Sequence, residues 1–202
     1  TGQERLWLIP GDSLLPGTAN LDWGTKRRVL KEMARLPADF VLLDLGAGSS
    51  YNVVDFYLAA SQGLLVINPE ITSVLNAYSF LKTAAFRVLL SAFPPKAEER
   101  AEVLAFAGAK TEGSGSSFLA FAEELAGRFP GKADLALASL RSLRPQVILN
   151  RAKAPEDADL GYRLRDISRK NLGIELGFSG FLLEDEGVGR SVAARQPLLA
   201  LD

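Results

Sequence analysis

The stretch Asp39–Ser50, DFVLLDLGAGSS, decides how this chain is read. Phe40 to Leu43 are four consecutive apolar residues, too short for a buried helix and apolar enough for a strand covered on both faces. Asp44 closes that predicted strand, and Gly46 and Gly48 follow at once. Open α/β sheets bind ligands at the carboxyl ends of parallel strands, where glycines let backbone amides approach closely. Two chemistries fit the pattern. In one, Asp44 holds a hydrated Mg²⁺ beside ATP phosphates. In the other, the DLGAG glycines lie under the methionine part of S-adenosylmethionine (SAM). A third reading is structural only, a strand end followed by a tight turn.

Composition narrows the chemistry. At 202 residues the chain has the length of one domain and can bury a sizeable core. It contains no cysteine and no histidine, which excludes disulfides, Cys/His zinc sites and Ser–His or Cys–His nucleophile pairs within it. Carboxylates, backbone amides, Lys/Arg, hydroxyls and metals on oxygen ligands remain. Lys+Arg number 23 against 24 Asp+Glu, a net charge of −1, so there is no bulk attraction toward nucleic acid. No apolar run approaches the ~18 residues of a membrane span, and no signal-peptide pattern is present. The expectation is a cytoplasmic protein. The start at Thr1 reads as a fragment of a longer one.

Around the opening stretch, apolar runs and helical periodicity alternate. Leu6–Pro10 predicts a strand, Gly11–Leu21 a loop, and Thr25–Leu36 a helix with Val29, Leu30, Met33 and Leu36 on one face. A helix from Tyr51 or Asn52 to Ser61 and a strand at Leu64–Ile67 complete a βαβ unit with the Asp44 strand. A long helix follows Asn68-Pro69-Glu70, with Thr72 or Ser73 as its N-cap, and ends at Phe93-Pro94-Pro95. Residues 96–144 read as an alanine-rich helical insertion, clearest at Ser117–Arg128 and Lys132–Leu143 and interrupted at Gly108–Ser116. The sheet pattern resumes with strand Gln146–Leu149, ending in Asn150-Arg151. Loop Ala152–Asp159, helix Leu160–Asn171, a last strand within Ile174–Leu183, the polar turn Glu184–Gly187 and helix Val188–Arg195 close the chain. The fold expectation is α/β: a doubly wound, mostly parallel sheet of at least five strands, with helices on both faces, in one domain.

Four segments, in order, resemble the later part of MinD/ParA-type P-loop ATPases, the deviant-Walker group of the SIMIBI class. They are DFVLLDLGAG, LLVINPEITSVLNAYSFLK, VILNR and LGIELGFSGFLLEDEGVGRSVAARQPLL. Together they span roughly residues 38–199, apart from the insertion. The DLGAG and PE details look closest to flagellar-number regulators (FlhG/FleN-like) and to uncharacterised MinD-like relatives. The resemblance implies an ATP-dependent dimerisation switch that positions or counts a cellular structure, with ATP and Mg²⁺ as ligands. It implies a homodimer when ATP is bound, and a protein partner or activator. The family's GKGGxGK[ST] loop and its switch I aspartate are absent from this sequence and would lie upstream of Thr1. The membrane-binding helix of MinD is absent too, and Leu183 stands where the closing motif has proline.

Carried over residue by residue, the resemblance makes Asp44 the switch II residue and, through water, a Mg²⁺ ligand. Gly46 and Gly48 become switch residues near the γ-phosphate. Asn150 becomes an adenine reader, since its amide both donates and accepts along the N6/N7 edge, and Arg151 beside it is solvated or stacks on the base rather than acting in catalysis. Leu183, Glu184 and Asp185 match the loop over the adenosine, and Glu70 faces the nucleotide or the dimer partner. Arg163, Arg165, Arg169 and Lys170 read as a solvated face, so contact with DNA or a membrane surface has no supporting feature. Under the SAM reading, the Leu64–Ile67 strand ends in Asn68 where an acidic residue is needed, with Glu70 two residues late. A third alternative is a non-catalytic, ATPase-like interaction module.

Overall fold

The structure, a computed structural model, describes residues 6–11, 21–60, 62–109 and 117–198. The predicted loop at Gly11–Leu21 and the interruption at Gly108–Ser116 lie mostly outside them. The chain divides into two compact units, Thr1–Ala59 and Ala60–Asp202.

The first unit contains helices α1 (Trp23–Met33) and α2 (Tyr51–Ala59). Helix α1 begins where the Asp22 carboxylate accepts from the Thr25 N–H at 3.0 Å, satisfying an orphan donor of the first turn. Lys26 on α1 donates to Asp55 on α2 at 2.7 Å, and both side chains are largely shielded from water. The strands expected here do not form. Leu6–Pro10 and Phe40–Asp44 carry no strand pairing. Phe40 and Leu42 are 88% and 93% exposed, so their side chains have no covering layer. A strand is stabilised by pairing its amides with a neighbour and burying a face, and four apolar residues supply neither alone.

The second unit runs β1 (Leu64–Ile67), α3 (Ile71–Ser91), α4 (Glu98–Ala109), α5 (Phe118–Arg128), α6 (Lys132–Ser142) and β2 (Gln146–Ala152). A 3₁₀ turn (Pro155–Ala158), α7 (Asp159–Leu172), β3 (Gly177–Leu183) and α8 (Glu186–Ala194) follow. The strands lie in the order β1-β2-β3 and are all parallel, with Leu64 opposite Gln146 and Gln146 opposite Gly177. The fold is therefore α/β, with helices around a parallel sheet, as the alternation of patterns predicts. Among the described residues the sheet has three strands rather than five or more.

One apolar cluster holds this unit together. Val147 and Leu149 of the sheet meet Leu81 and Leu89 of α3 and Leu164 and Leu172 of α7. Phe118 and Leu125 of α5 and Leu137 and Leu140 of α6 belong to the same cluster, so the alanine-rich helices share the core rather than sitting outside it. Local signals set the helix ends. The Ser117 hydroxyl accepts from the Ala120 N–H at 3.1 Å, and Gly173 ends α7 in a left-handed conformation. Helix α3 departs from expectation: its N-cap is Glu70, and the Ser73 hydroxyl instead accepts from the Asn68 N–H at 3.0 Å, bracing the turn out of β1. No helix among the described residues is long and apolar enough to cross a membrane.

Candidate functional site

Because the three strands are parallel, their carboxyl ends gather on one rim, where α/β folds place ligands. Asn68, Pro69 and Glu70 follow β1, Arg151 and Lys153 come from the end of β2, and Glu184 follows β3. With Asp157 of the 3₁₀ turn they line a recess of about 190 Å³. A more open depression of about 600 Å³ shares Lys153 and Glu184 and adds Ala152, Leu183 and Glu186. Sites for drug-sized ligands enclose about 300–1,000 Å³, so the smaller recess holds only part of such a molecule.

An ion pair spans the rim. Nε and Nη2 of Arg151 both donate to Oε1 of Glu184, at 3.1 and 2.7 Å. That hydrogen bond, then the guanidinium charge and the more distant Lys153, holds the Glu184 carboxyl below its ordinary range. The same bond raises the already high pKa of Arg151, and Glu70 adds to the effect. Beneath the pair, the Glu184 N–H donates to the Ala152 carbonyl at 2.9 Å. Arg151 has φ 58°, in the left-handed region, and the β2–β3 register shifts between Leu149 and Ala152. Such irregularities re-aim side chains and are frequent beside active sites. A left-handed backbone costs a non-glycine residue more than an exposed ion pair returns, so the pair alone does not account for this geometry.

Two carboxylates here are structural. Asp157 Oδ2 accepts from the N–H groups of Lys153 and Ala154, at 2.7 and 3.2 Å, fixing the chain after β2. Pro155 opens the 3₁₀ turn, where its missing N–H and fixed φ cost nothing. Asp185 caps α8 by accepting from the Gly187 N–H at 2.6 Å.

Of the residues singled out by sequence, Glu70, Arg151 and Glu184 meet in one recess, and Leu183 lines the neighbouring depression. Asn150 lies inside β2 rather than at its end and lines neither. Asp44, Gly46 and Gly48 belong to the first unit. Asp44 there follows an unpaired run, and Gly48 turns the chain at φ 103°. Lys153, Asp157 and Glu186 also line the recess or the depression, and no motif in the sequence marks Lys153 or Glu186 for such a place. Asp157 had a signal: in Ala154-Pro155-Glu156-Asp157 the acid stands three residues after the cap of a Pro-initiated turn. No group of three or more Asp/Glu among the described residues is placed to hold a metal ion. A scan against protein-family models finds no match, and a search of the curated proteins finds none either.

Proposed function

We propose that this chain is the body of a MinD/ParA-like ATPase and that its second unit receives the nucleoside end of ATP. The observation that carries this reading is the recess at the strand carboxyl ends, lined by Glu70, Arg151 and Glu184. Its carboxylates, Glu70, Asp157 and Glu184, outnumber its cations, Arg151 and Lys153. Carboxylates accept from ribose hydroxyls and exocyclic amines but repel phosphates. A triphosphate needs amides and cations of the kind the GKGGxGK[ST] loop supplies, and this sequence contains no such motif. Mg²⁺ takes few protein ligands and relies on water and phosphate oxygens, so it would arrive with the triphosphate rather than sit in a preformed protein cage. In this reading ATP fixes a cytoplasmic homodimer and hydrolysis releases it, so the output is a binding state offered to a protein partner.

The test is a two-dimensional NMR titration of the chain with ADP, ATP–Mg²⁺ and SAM. ADP should shift the amides of Asn68–Glu70 and Arg151–Lys153 with weak affinity, and the chain alone should hydrolyse no ATP. Charge neutralisation at the β- and γ-phosphates is the dominant catalytic term and is missing without the phosphate loop. Shifts with SAM but not ADP would replace this reading with the methyltransferase. Silence toward both would favour a non-catalytic interaction module.

A further inference from the structure

The end of β2 adopts a conformation that a parallel ladder does not require. Arg151 sits at φ 58° where the register to β3 slips between Leu149 and Ala152. The other non-glycine residue at positive φ among the described residues, Arg195, is the C-cap of α8, a place where helices take that conformation routinely. No helix ends at Arg151. What stands opposite is Glu184, bonded twice by the guanidinium and once through its own N–H to the Ala152 carbonyl. These three bonds fasten the first residue after β3 to the last residues of β2. Glu184 lines both the recess and the neighbouring depression, so its position sets the wall they share. Asp185 then caps α8, which ties the start of that helix to the same turn.

Glycine would meet the backbone demand at 151 with less strain, and an exposed ion pair adds little stability. The side chain is thus explained by where it holds Glu184. We propose that Arg151 is a positioning residue: acting through Glu184, it latches the turn between β3 and α8 onto the end of β2 and so sets the wall of the recess. On the nucleotide reading above, from which the ligand is taken, this wall orients the nucleoside. Opening the latch lets the turn move, and the bound nucleoside loses one side of its site.

Amide hydrogen exchange and ADP titration on the same NMR samples test the latch, using wild type, Glu184→Gln, Arg151→Gly, Arg151→Lys and Arg195→Gly. Thermal melts confirm that each variant is folded. Arg151→Gly and Glu184→Gln should speed exchange at the Glu184 amide, by up to about fivefold for an exposed pair, with the amides inside β1 and β2 unchanged. ADP affinity should fall by a similar factor. Arg151→Lys keeps the charge and should recover much of the protection. Arg195→Gly should match wild type in both readouts. If position 151 acted through its backbone alone, Arg151→Gly would be the better protected of the two Arg151 variants, and that order would overturn the latch. Unchanged exchange in both Arg151→Gly and Glu184→Gln would overturn it as well, as would faster exchange with undiminished ADP affinity. If wild type shows no ADP shifts, the nucleotide reading fails, and the exchange result by itself upholds or overturns the latch.

Discussion

Single side chains in this protein act over short reach, and their effects can be assigned one at a time. The Ser117 hydroxyl satisfies the Ala120 N–H at the start of α5, a helix that carries Phe118 and Leu125 into the core. Ser117→Ala should lower stability by about 1 kcal/mol, read in a denaturant melt, while Ser117→Asp should hold it. At Glu184 the sign follows from a depressed pKa. The carboxylate gains its partner in the folded state, so the contribution is complete above the ordinary value of 4.5 and is lost as pH falls through the lowered folded value. Arg151 and Lys153 are the cations that act on it. The Glu184 carboxyl should therefore titrate below 4.5 by carbon-detected NMR, and in Arg151→Gly its midpoint should rise toward that value.

Between elements, the close approach of α7 to β3 depends on one missing side chain. A Cβ at Gly161 would run into the Phe178 ring, which also packs against Tyr162 with ring centroids 4.9 Å apart. Alanine improves helix propensity by about 1 kcal/mol, while overpacking costs about 1–3 kcal/mol. The clash should win, so Gly161→Ala should lower the melting temperature although the change favours an isolated helix. The same element scale explains the vacant strand positions. Residues 64–67 and 40–43 are both short apolar runs, yet only the first lies beside a strand with matching register, Val66 opposite Ile148. Pairing, not hydrophobicity, separates them.

Across the second unit, the alanine-rich helices are part of what makes the sheet stable. Leu125 and Leu140 are buried in the cluster that includes Val147 and Leu149. Leu125→Ala should cost about 2–5 kcal/mol, read as a lower denaturation midpoint with an unchanged slope. Removing residues 96–144 would strip α4, α5 and α6 from that cluster, and the remaining sheet should lose cooperative unfolding. A deletion that kept a sharp transition would show that these helices are an appendage after all.

Elements with local causes were legible in the chain before it folds. Helical spacing of apolar residues placed α3, α5, α6 and α7 within a few residues. The runs at 64–67 and 147–149 were legible as strands because each is a short, unbroken apolar run without polar alternation, and the structure pairs them in parallel. Composition also excluded thiol and imidazole chemistry outright. Tertiary structure alone decided which apolar runs find a neighbour, so Phe40–Leu43 failed as a strand for want of a paired edge. It also carried β2 on through Ala152, which moved Asn150 off the rim and aimed Arg151 at a residue 33 positions away. No window of sequence holds that information, because the ion pair exists only once β3 has docked beside β2 and the two registers have slipped past each other.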